Sequence, residues 1–485
     1  MTTTEPVKIL IAGGGLAGLL MALLCQHANI SYYIFERSLE SKPRGAVMSL
    51  NASIFPVFEQ LGMMDDLMRI SRPLLRSHVM NEDLEEVAVL EIKNLRELVG
   101  YDYVVFHRPE LYKLLFSRVH AGRILRGKKV LSILQNEYGV MIRTSDNQTH
   151  HGEILVGADG AYSAVRQALY RELKKQGDLP SADETGLETG FITLVGATDP
   201  LDPSKYPGLN DEESHFHQII GRNKPYTWST FTIPGNRICW SAQLQVDPAS
   251  SKDSFFRNSE WGPESNGDMI AEISGFRTTY GATMGDLVES TPKHLISKVL
   301  LEDKLFQTWT GGRTVLIGDA AHKVLPNAGQ GAVNAFLDAV VLCNCLYDLD
   351  NDFTHDNIVT ALQTYRNLRF KHVKEQYLNS KLNAKIQYGQ RWADQFVRFL
   401  VFKALPKSMH IKGIAQAALY RPQVAFLDFV PKRGKCKVVP QEQSKRYLRE
   451  RAEREEQARK LESDYKNFDY DLGGWIGTLT ADGAV

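Results

Sequence analysis

Gly13-Gly14-Gly15-Leu16-Ala17-Gly18 is the stretch whose reading decides the fold. Before it, Val7 to Ala12 is apolar with β-branched residues, which predicts a buried strand. After it, Leu16 to Cys25 is apolar and helix-forming, as a helix packed on a sheet must be. Gly13 permits the tight turn, Gly15 lets backbone approach a pyrophosphate, and Gly18 lets helix and strand pack closely. At Leu16 and Ala17 the helix start offers free N–H groups and the positive end of its dipole to phosphates. Tyr32 to Phe35 predicts the second strand of a βαβ unit. Glu36 at its end can accept both hydroxyls of a ribose, with Arg37 beside it. An acid there suits an unphosphorylated adenosine ribose, as in FAD or NAD, and repels a 2′-phosphate.

The 485 residues are enough for two or three domains with substantial cores. Basic and acidic residues balance at 57 each, so no global field favours nucleic acid or an anionic surface. The five cysteines (Cys25, Cys239, Cys343, Cys345 and Cys436) are scattered and lack CxxC spacing, against a disulfide scaffold or a zinc site. The first strand begins almost at once, leaving no room for a signal or transit peptide. Apolar runs near the C-terminus are broken by Arg398 and Lys403 and are too short to span a bilayer. A soluble, reducing, cytoplasmic setting is the expectation.

Along the chain, a helix is predicted over Ser53 to Leu61, ending at Gly62. Val104 to His107 reads as a strand running through Arg108-Pro109 into a helix. Short strands follow at Lys129 to Ile133, Val140 to Arg143 and Ile154 to Val156; the last leads into Gly157-Ala158-Asp159-Gly160 and a helix carrying Ser163 and Arg166. Between 175 and about 285 the segments alternate, and Pro234-Gly235-Asn236 links two of them as a hairpin, which predicts an antiparallel sheet. Gly312 to Ile317 returns to a buried strand before Gly318-Asp319-Ala320-Ala321-His322, and a long helix starts near Gln330. Residues 353 to 420 read as helical, broken at Leu405-Pro406, and 441 to 465 as a charged, solvated helix.

Three separated segments fit together: the glycine turn, Gly157-Ala158-Asp159-Gly160, and Gly318-Asp319 with Pro326 and Gly329-Gln330-Gly331-Ala332. The trio resembles the para-hydroxybenzoate hydroxylase-like FAD monooxygenases, and among these the fungal monooxygenases and epoxidases of secondary metabolism. The resemblance covers about the first 345 residues, with a weaker likeness at Tyr420-Arg421-Pro422-Gln423-Val424. It implies an α/β fold: a Rossmann-like FAD-binding domain from 1–175 and 286–350, an inserted antiparallel substrate domain at 176–285, and a helical region at 351–485. It implies FAD as cofactor, NAD(P)H and O₂ as co-substrates, and a flavin hydroperoxide that hydroxylates or epoxidises a hydrophobic small organic molecule.

The same resemblance places Asp319 at the ribitol, Pro326, Gly329, Gly331 and Ala332 in a loop against the flavin, and Arg108 on the cofactor. Gly45 and Ser49 fall where the family's glycine-rich segment approaches the isoalloxazine, Ser49 standing in for the usual glycine. Asp159 belongs to a segment taken to serve both FAD and nicotinamide. Each has a blander alternative: a turn for Asp159, a helix cap for Asp319, a surface ion pair for Arg108. Ile192 stands where some fungal relatives carry an arginine, which weakens a phenolic-acid substrate. His322 reads as structural; His215 and His217 read first as facing solvent, with one of them toward the substrate as the alternative; Trp228, Phe231 and Trp240 read first as core, with the wall of the substrate pocket as the alternative. The segment from Phe396 to Leu405 reads first as packing onto the FAD domain, with peripheral membrane association as the alternative. An oxidase or reductase without oxygen insertion, or a non-catalytic flavin-binding protein, are the rival functions.

Overall fold

Strand Ile9–Ala12 is fully buried and pairs in parallel on both sides, with Tyr32–Glu36 and with Ile154–Gly157. The computed structural model describes residues 7–40, 47–222, 224–246, 266–326, 329–404 and 406–479, without side chains at 403, 404, 407, 408 and 463–479. Thr314–Leu316 pairs in parallel with Ile154–Gly157, and Ile124–Arg126 with Tyr32–Glu36, giving a sheet closed at one edge by the antiparallel Thr310–Gly311. Strands buried on both faces need continuous apolar sequence, which is what Ile9, Leu10 and Ile11 supply. Helix Leu16–His27 covers one face and packs along helix Gln330–Tyr347. The small meander Val130–Asn136, Gly139–Thr144 and Thr149–Gly152 forms a separate antiparallel sheet.

A ten-stranded sheet stands beside this unit. Its centre is Glu188–Ala197, Arg237–Gln245, Tyr226–Ile233 and Ser214–Ile220, paired antiparallel in that order. The hairpin turns at Gly235-Asn236, both at positive φ. The sheet is wider than segment 176–285: Ser71–Asn81, Val104–His107 and Val47–Leu50 extend one side, and Ser297–Leu305 the other. The helix predicted at Ser53 to Leu61 is the shorter Phe55–Gln60.

The two faces of this sheet differ. One carries Ile219, Trp228, Trp240, Ala242 and Leu194, packed under helices Gly267–Ile273 and Met284–Glu289. Trp228 and Trp240 are therefore core residues, as expected, each donating its indole N–H, to Arg277 O and Thr291 Oγ1. His217 lies on the same face, and here the solvent reading is corrected. Its Nδ1 pairs with Thr279 Oγ1 at 3.0 Å, and its ring lies against His78 and Tyr280. His215 instead meets the Asp211 carboxylate at the surface.

The C-terminal third is helical: His355–Tyr388, Trp392–Phe399 and Lys407–Ala417. The charged segment forms helix Lys445–Leu479. Its charges reach solvent further along, but the first turns dock: Tyr347 donates to Glu450 at 2.6 Å and Arg446 stacks on the Tyr347 ring. Among the described residues no helix is long and apolar enough to cross a membrane.

Burial, reinforced by His78 and His215, pulls the His217 imidazole from 6.5 down to about 4. Below pH 6.5 the unfolded chain binds a proton that the folded chain refuses. This histidine therefore costs no stability above that pH, and stability is lost as pH falls toward about 4. Replacing it, as His217→Gln, should flatten the acid limb by about 2 kcal/mol at about pH 5, read from denaturant midpoints at about pH 5 and pH 7.5.

Candidate active site

The parallel order Thr314–Leu316, Ile154–Gly157, Ile9–Ala12, Tyr32–Glu36 brings four chain exits to one edge of the sheet. Ligand crevices in open α/β sheets form at this carboxyl edge. The three quoted segments are three of those exits, and Glu36 ends the fourth strand.

Contacts between the exits hold them together. Gly13 has φ +105°, and a Cβ there would lie 2.4 Å from Ala158 O, so only glycine lets the first exit touch the second. A Cβ on Gly18 would lie 2.0 Å from Gly13 O, which is the close helix–strand approach the spacing implied. The Gly318 turn rests against Ala17 and Ala335, joining the third exit to the first helix. Arg166 ties the second exit to the third, donating to Ala161 O at 2.6 Å and Ala320 O at 2.9 Å.

Glu36 is held in place by two backbone amides: Gly14 N donates to Oε2 and Ser38 N to Oε1, both at 2.8 Å. Arg37 follows on the same exit. Beside them, helix Leu16–His27 starts without a side-chain cap, and a Cβ on Gly15 would meet no described atom within 4 Å. An uncapped helix start facing open space, with a fixed carboxylate alongside, fits a dinucleotide: phosphates on the amides, ribose on Glu36.

Asp159 spends its Oδ2 on its own helix, accepting from Ala164 N at 2.7 Å and Val165 N at 3.2 Å. Burial raises its pKa, and those bonds oppose the rise. Asp319 lies half exposed in the turn Gly318–Ala320 and caps nothing there. Arg108, at the start of helix Arg108–Arg118, is partly buried: burial pulls its guanidinium down, and the Asp319 carboxylate acts against that. These two charged groups therefore share one neighbourhood.

Pro326 and Gly329 flank the start of helix Gln330–Tyr347, which is also uncapped by any described side chain. Gly329 sits at φ +61°, and a Cβ there would strike Ser49 Oγ and Tyr103 Oη. Ser49 lies in Val47–Leu50 and is hydrogen-bonded to Tyr103 Oη at 2.6 Å. The serine that replaces the usual glycine thus has a partner, and burial raises the pKa of that tyrosine. Gly331 and Ala332 are partly exposed in the first helical turn. Gly45 lies outside the described residues.

Sequence reasoning missed a buried charge cluster beneath the third exit. Asp338 accepts from His322 Nε2 at 2.6 Å, Gly318 N at 2.9 Å and Arg369 Nε at 2.8 Å, and Arg369 also reaches Asn334 Oδ1. His322, Asp338 and Arg369 are all 0–1% exposed. Burial pushes the Asp338 pKa up, but its hydrogen-bonded neighbours His322 and Arg369 outweigh burial and leave the carboxylate below its ordinary value. His322 is structural, as expected. The available signal was an aspartate within the apolar helix at Asn334 to Cys343.

A fixed dinucleotide cradle at the carboxyl edge, facing a second sheet, defines a flavin- or nicotinamide-binding oxidoreductase. The chain matches the FAD binding domain family over residues 6–231 and 235–377 and belongs to it. It is 28% identical over 437 residues to the FAD-dependent monooxygenase ausM of Emericella nidulans, covering 89% of each chain. To olcE of Penicillium canescens, also an FAD-dependent monooxygenase, it is 28% identical over 434 residues, 87% of this chain and 90% of that one. Among solved structures it is similar to Klebsiella pneumoniae HpxO complexed with FAD and uric acid, with TM-score 0.69 and 20% identity over 86% of this chain and 97% of that one. A salicylate hydroxylase substrate complex matches with TM-score 0.60 and 20% identity, covering 85% and 98%. The chain is an FAD-dependent monooxygenase.

Two substitutions separate cradle from scaffold. Gly15→Val fills space that the protein leaves open, so FAD affinity should fall at least about tenfold while the apoprotein melts within a few degrees of the parent; equilibrium titration and calorimetry read both. Asp338→Asn leaves Arg369 buried without its counter-charge and should destabilise the fold by about 3–5 kcal/mol, read as an earlier unfolding midpoint and weakened FAD retention.

Proposed function

We propose that this monooxygenase uses NAD(P)H and O₂ to hydroxylate or epoxidise a neutral, largely hydrophobic small molecule. FAD, when bound, supplies the redox chemistry with both co-substrates. In this reading Gly13, Gly15, Leu16, Ala17, Gly18, Glu36 and Arg37 hold the dinucleotide, and Arg108, Asp159 and Asp319 hold its middle. Gly45, Ser49, Pro326, Gly329, Gly331 and Ala332 surround the flavin. Residues 1–175 and 286–350 form the FAD-binding part, 176–285 the core of the substrate part, and 351–485 the helical remainder.

The observation that carries the substrate class is the second face of the ten-stranded sheet. Strand alternation and register put Thr193, Gln243 and Thr227 in one row, and Ser241, Ser229 and Gln218 in the next. Phe231 and Phe216 form a third, their rings stacked 4.1 Å apart. One end of this face packs on Val47, beside Ser49, and the other brings Phe191 against Leu325 and Tyr388, beside Pro326. The face is therefore turned toward the flavin loops. The polar groups of the first two rows are all neutral: Ser229 and Ser241 hydroxyls are 2.7 Å apart, and Gln243 donates to Ser241 at 2.8 Å. Gln243 Oε1 is buried with no hydrogen-bond partner among the described residues. A buried acceptor without a donor is costly, and a substrate hydroxyl or N–H relieves it. No arginine or lysine stands in these rows, which favours a neutral substrate over a carboxylate or phenolate.

NADPH or NADH oxidation should accelerate with a cognate neutral compound, and under isotopically labelled O₂ one labelled atom should enter the product. Turnover without incorporation supports the oxidase or reductase reading instead. Gln243→Leu should raise KM about tenfold with kcat little changed, because it removes a binding acceptor rather than a group at the reacting atoms.

A further inference from the structure

Helix Trp392–Phe399 is short and lies on the outside of the helical region. Its register places Trp392, Phe396, Phe399 and the following Leu400 within about 100° of arc. The expectation that this segment packs onto the FAD domain fails for these four side chains: they are 82%, 57%, 60% and 42% exposed. A soluble helix normally turns such a stripe inward. Here a single residue of the helix, Arg398, turns inward instead. Arg398 is buried and donates through Nε to Ile386 O at 2.7 Å and through its terminal amino group to Gly389 O. Gln395 donates to Gln390 O at 3.0 Å. The helix is fastened by its arginine, and its aromatic face is presented outward.

We infer that this face docks on a lipid bilayer carrying anionic headgroups. Taking ~200 Å² for each large side chain, the exposed apolar area is on the order of 500 Å², below the ~800 Å² per partner of a stable protein interface. It matches the footprint of a short interfacial helix, whose Trp and Phe enter the headgroup boundary while basic residues remain in water. The chain as a whole is neutral, yet with the inward-turned Arg398 set aside residues 385–412 still hold Lys385, Arg391, Lys403, Lys407 and Lys412 against the single acid Asp394. A local excess of this kind is what an anionic surface selects.

The position ties docking to the site. The turn that fastens the helix also borders the polar sheet face: Gln387 O accepts from Gln218 and Thr227, and Gln390 N donates to Gln245 Oε1 at 2.8 Å. Docking sets that border of the polar sheet face beside the bilayer, a short path for a hydrophobic molecule. The surface itself stands on exposure and charge and does not depend on the substrate's identity.

The test is flotation of the full-length, FAD-loaded protein with vesicles of three parts phosphatidylcholine to one part phosphatidylserine. The expected result is recovery with the vesicles that falls roughly tenfold in the Trp392→Ser, Phe396→Ser, Phe399→Ser variant, and several-fold on phosphatidylcholine alone. Flavin absorbance and melting of that variant should match the parent, since the replaced side chains are exposed; if it misfolds, Trp392→Ser alone carries the comparison. A parent that never floats, or a well-folded variant that floats equally, overturns the proposal. A concentration-dependent dimer lost in the variant, without vesicle binding, assigns the face to a second copy of the chain instead. A parent protein that turns over NAD(P)H yet never floats rejects this surface and leaves the enzymatic reading standing.

Discussion

Parallel pairing of Ile9–Ala12 with one strand on each side is the constraint on which the active site depends. Parallel strands all end at the same edge, so the loops that follow them must meet there whatever their distance in sequence. Residues near positions 13, 36, 158 and 318 become neighbours for that reason alone. Close backbone contact then fixes them: Gly13 against Ala158, Gly318 against Ala17, and Arg166 bridging two loops. Any side chain at Gly13 would wedge the first and second loops apart.

The crevice is stiff at its base and open at its mouth. Asp338 takes three donors under the third loop, all at nearly zero exposure, so the loop's backbone is set by buried charge rather than by its own residues. Above it, the helix starts at Leu16 and Gln330 keep uncapped amides toward the ligand space. This division suits a cofactor enzyme, in which the protein's work is placement and the exclusion of competing reactions. Across the crevice the ten-stranded sheet presents neutral hydroxyls and amides flanked by Phe216, Phe231 and Phe191, the surface proposed above to receive a neutral substrate.

Much of the cradle was legible because its parts are local. A glycine turn, a strand, a helix and an acid at fixed spacing each leave a mark within a few residues, and those marks survive into the structure: Glu36 sits where the spacing put it and Gly15 faces open space. The antiparallel hairpin at Gly235-Asn236 was equally local. The roles of Ser49 and Asp338 were not, since their partners lie 54 residues away at Tyr103 and 31 away at Arg369. His217 was misread for a related reason. Alternation along a strand shows that neighbours face opposite ways, but not which way is inward until the covering helices are in place.

By itself, then, the chain's local patterning determined the nucleotide-binding unit, a ribose without a 2′-phosphate and the presence of a second, antiparallel layer. Tertiary structure alone decided which face of that layer looks at the flavin loops, which charges lie buried beneath them, and that the aromatic side of helix Trp392–Phe399 points away from the body. The difference is physical: backbone geometry acts over a few residues and is written in their order, whereas burial is a property of whatever else packs nearby. An amphipathic stripe reads the same in sequence whether a core or a bilayer covers it, and only the position of Arg398, turned inward onto Ile386 and Gly389, shows which side of this helix the protein keeps for itself.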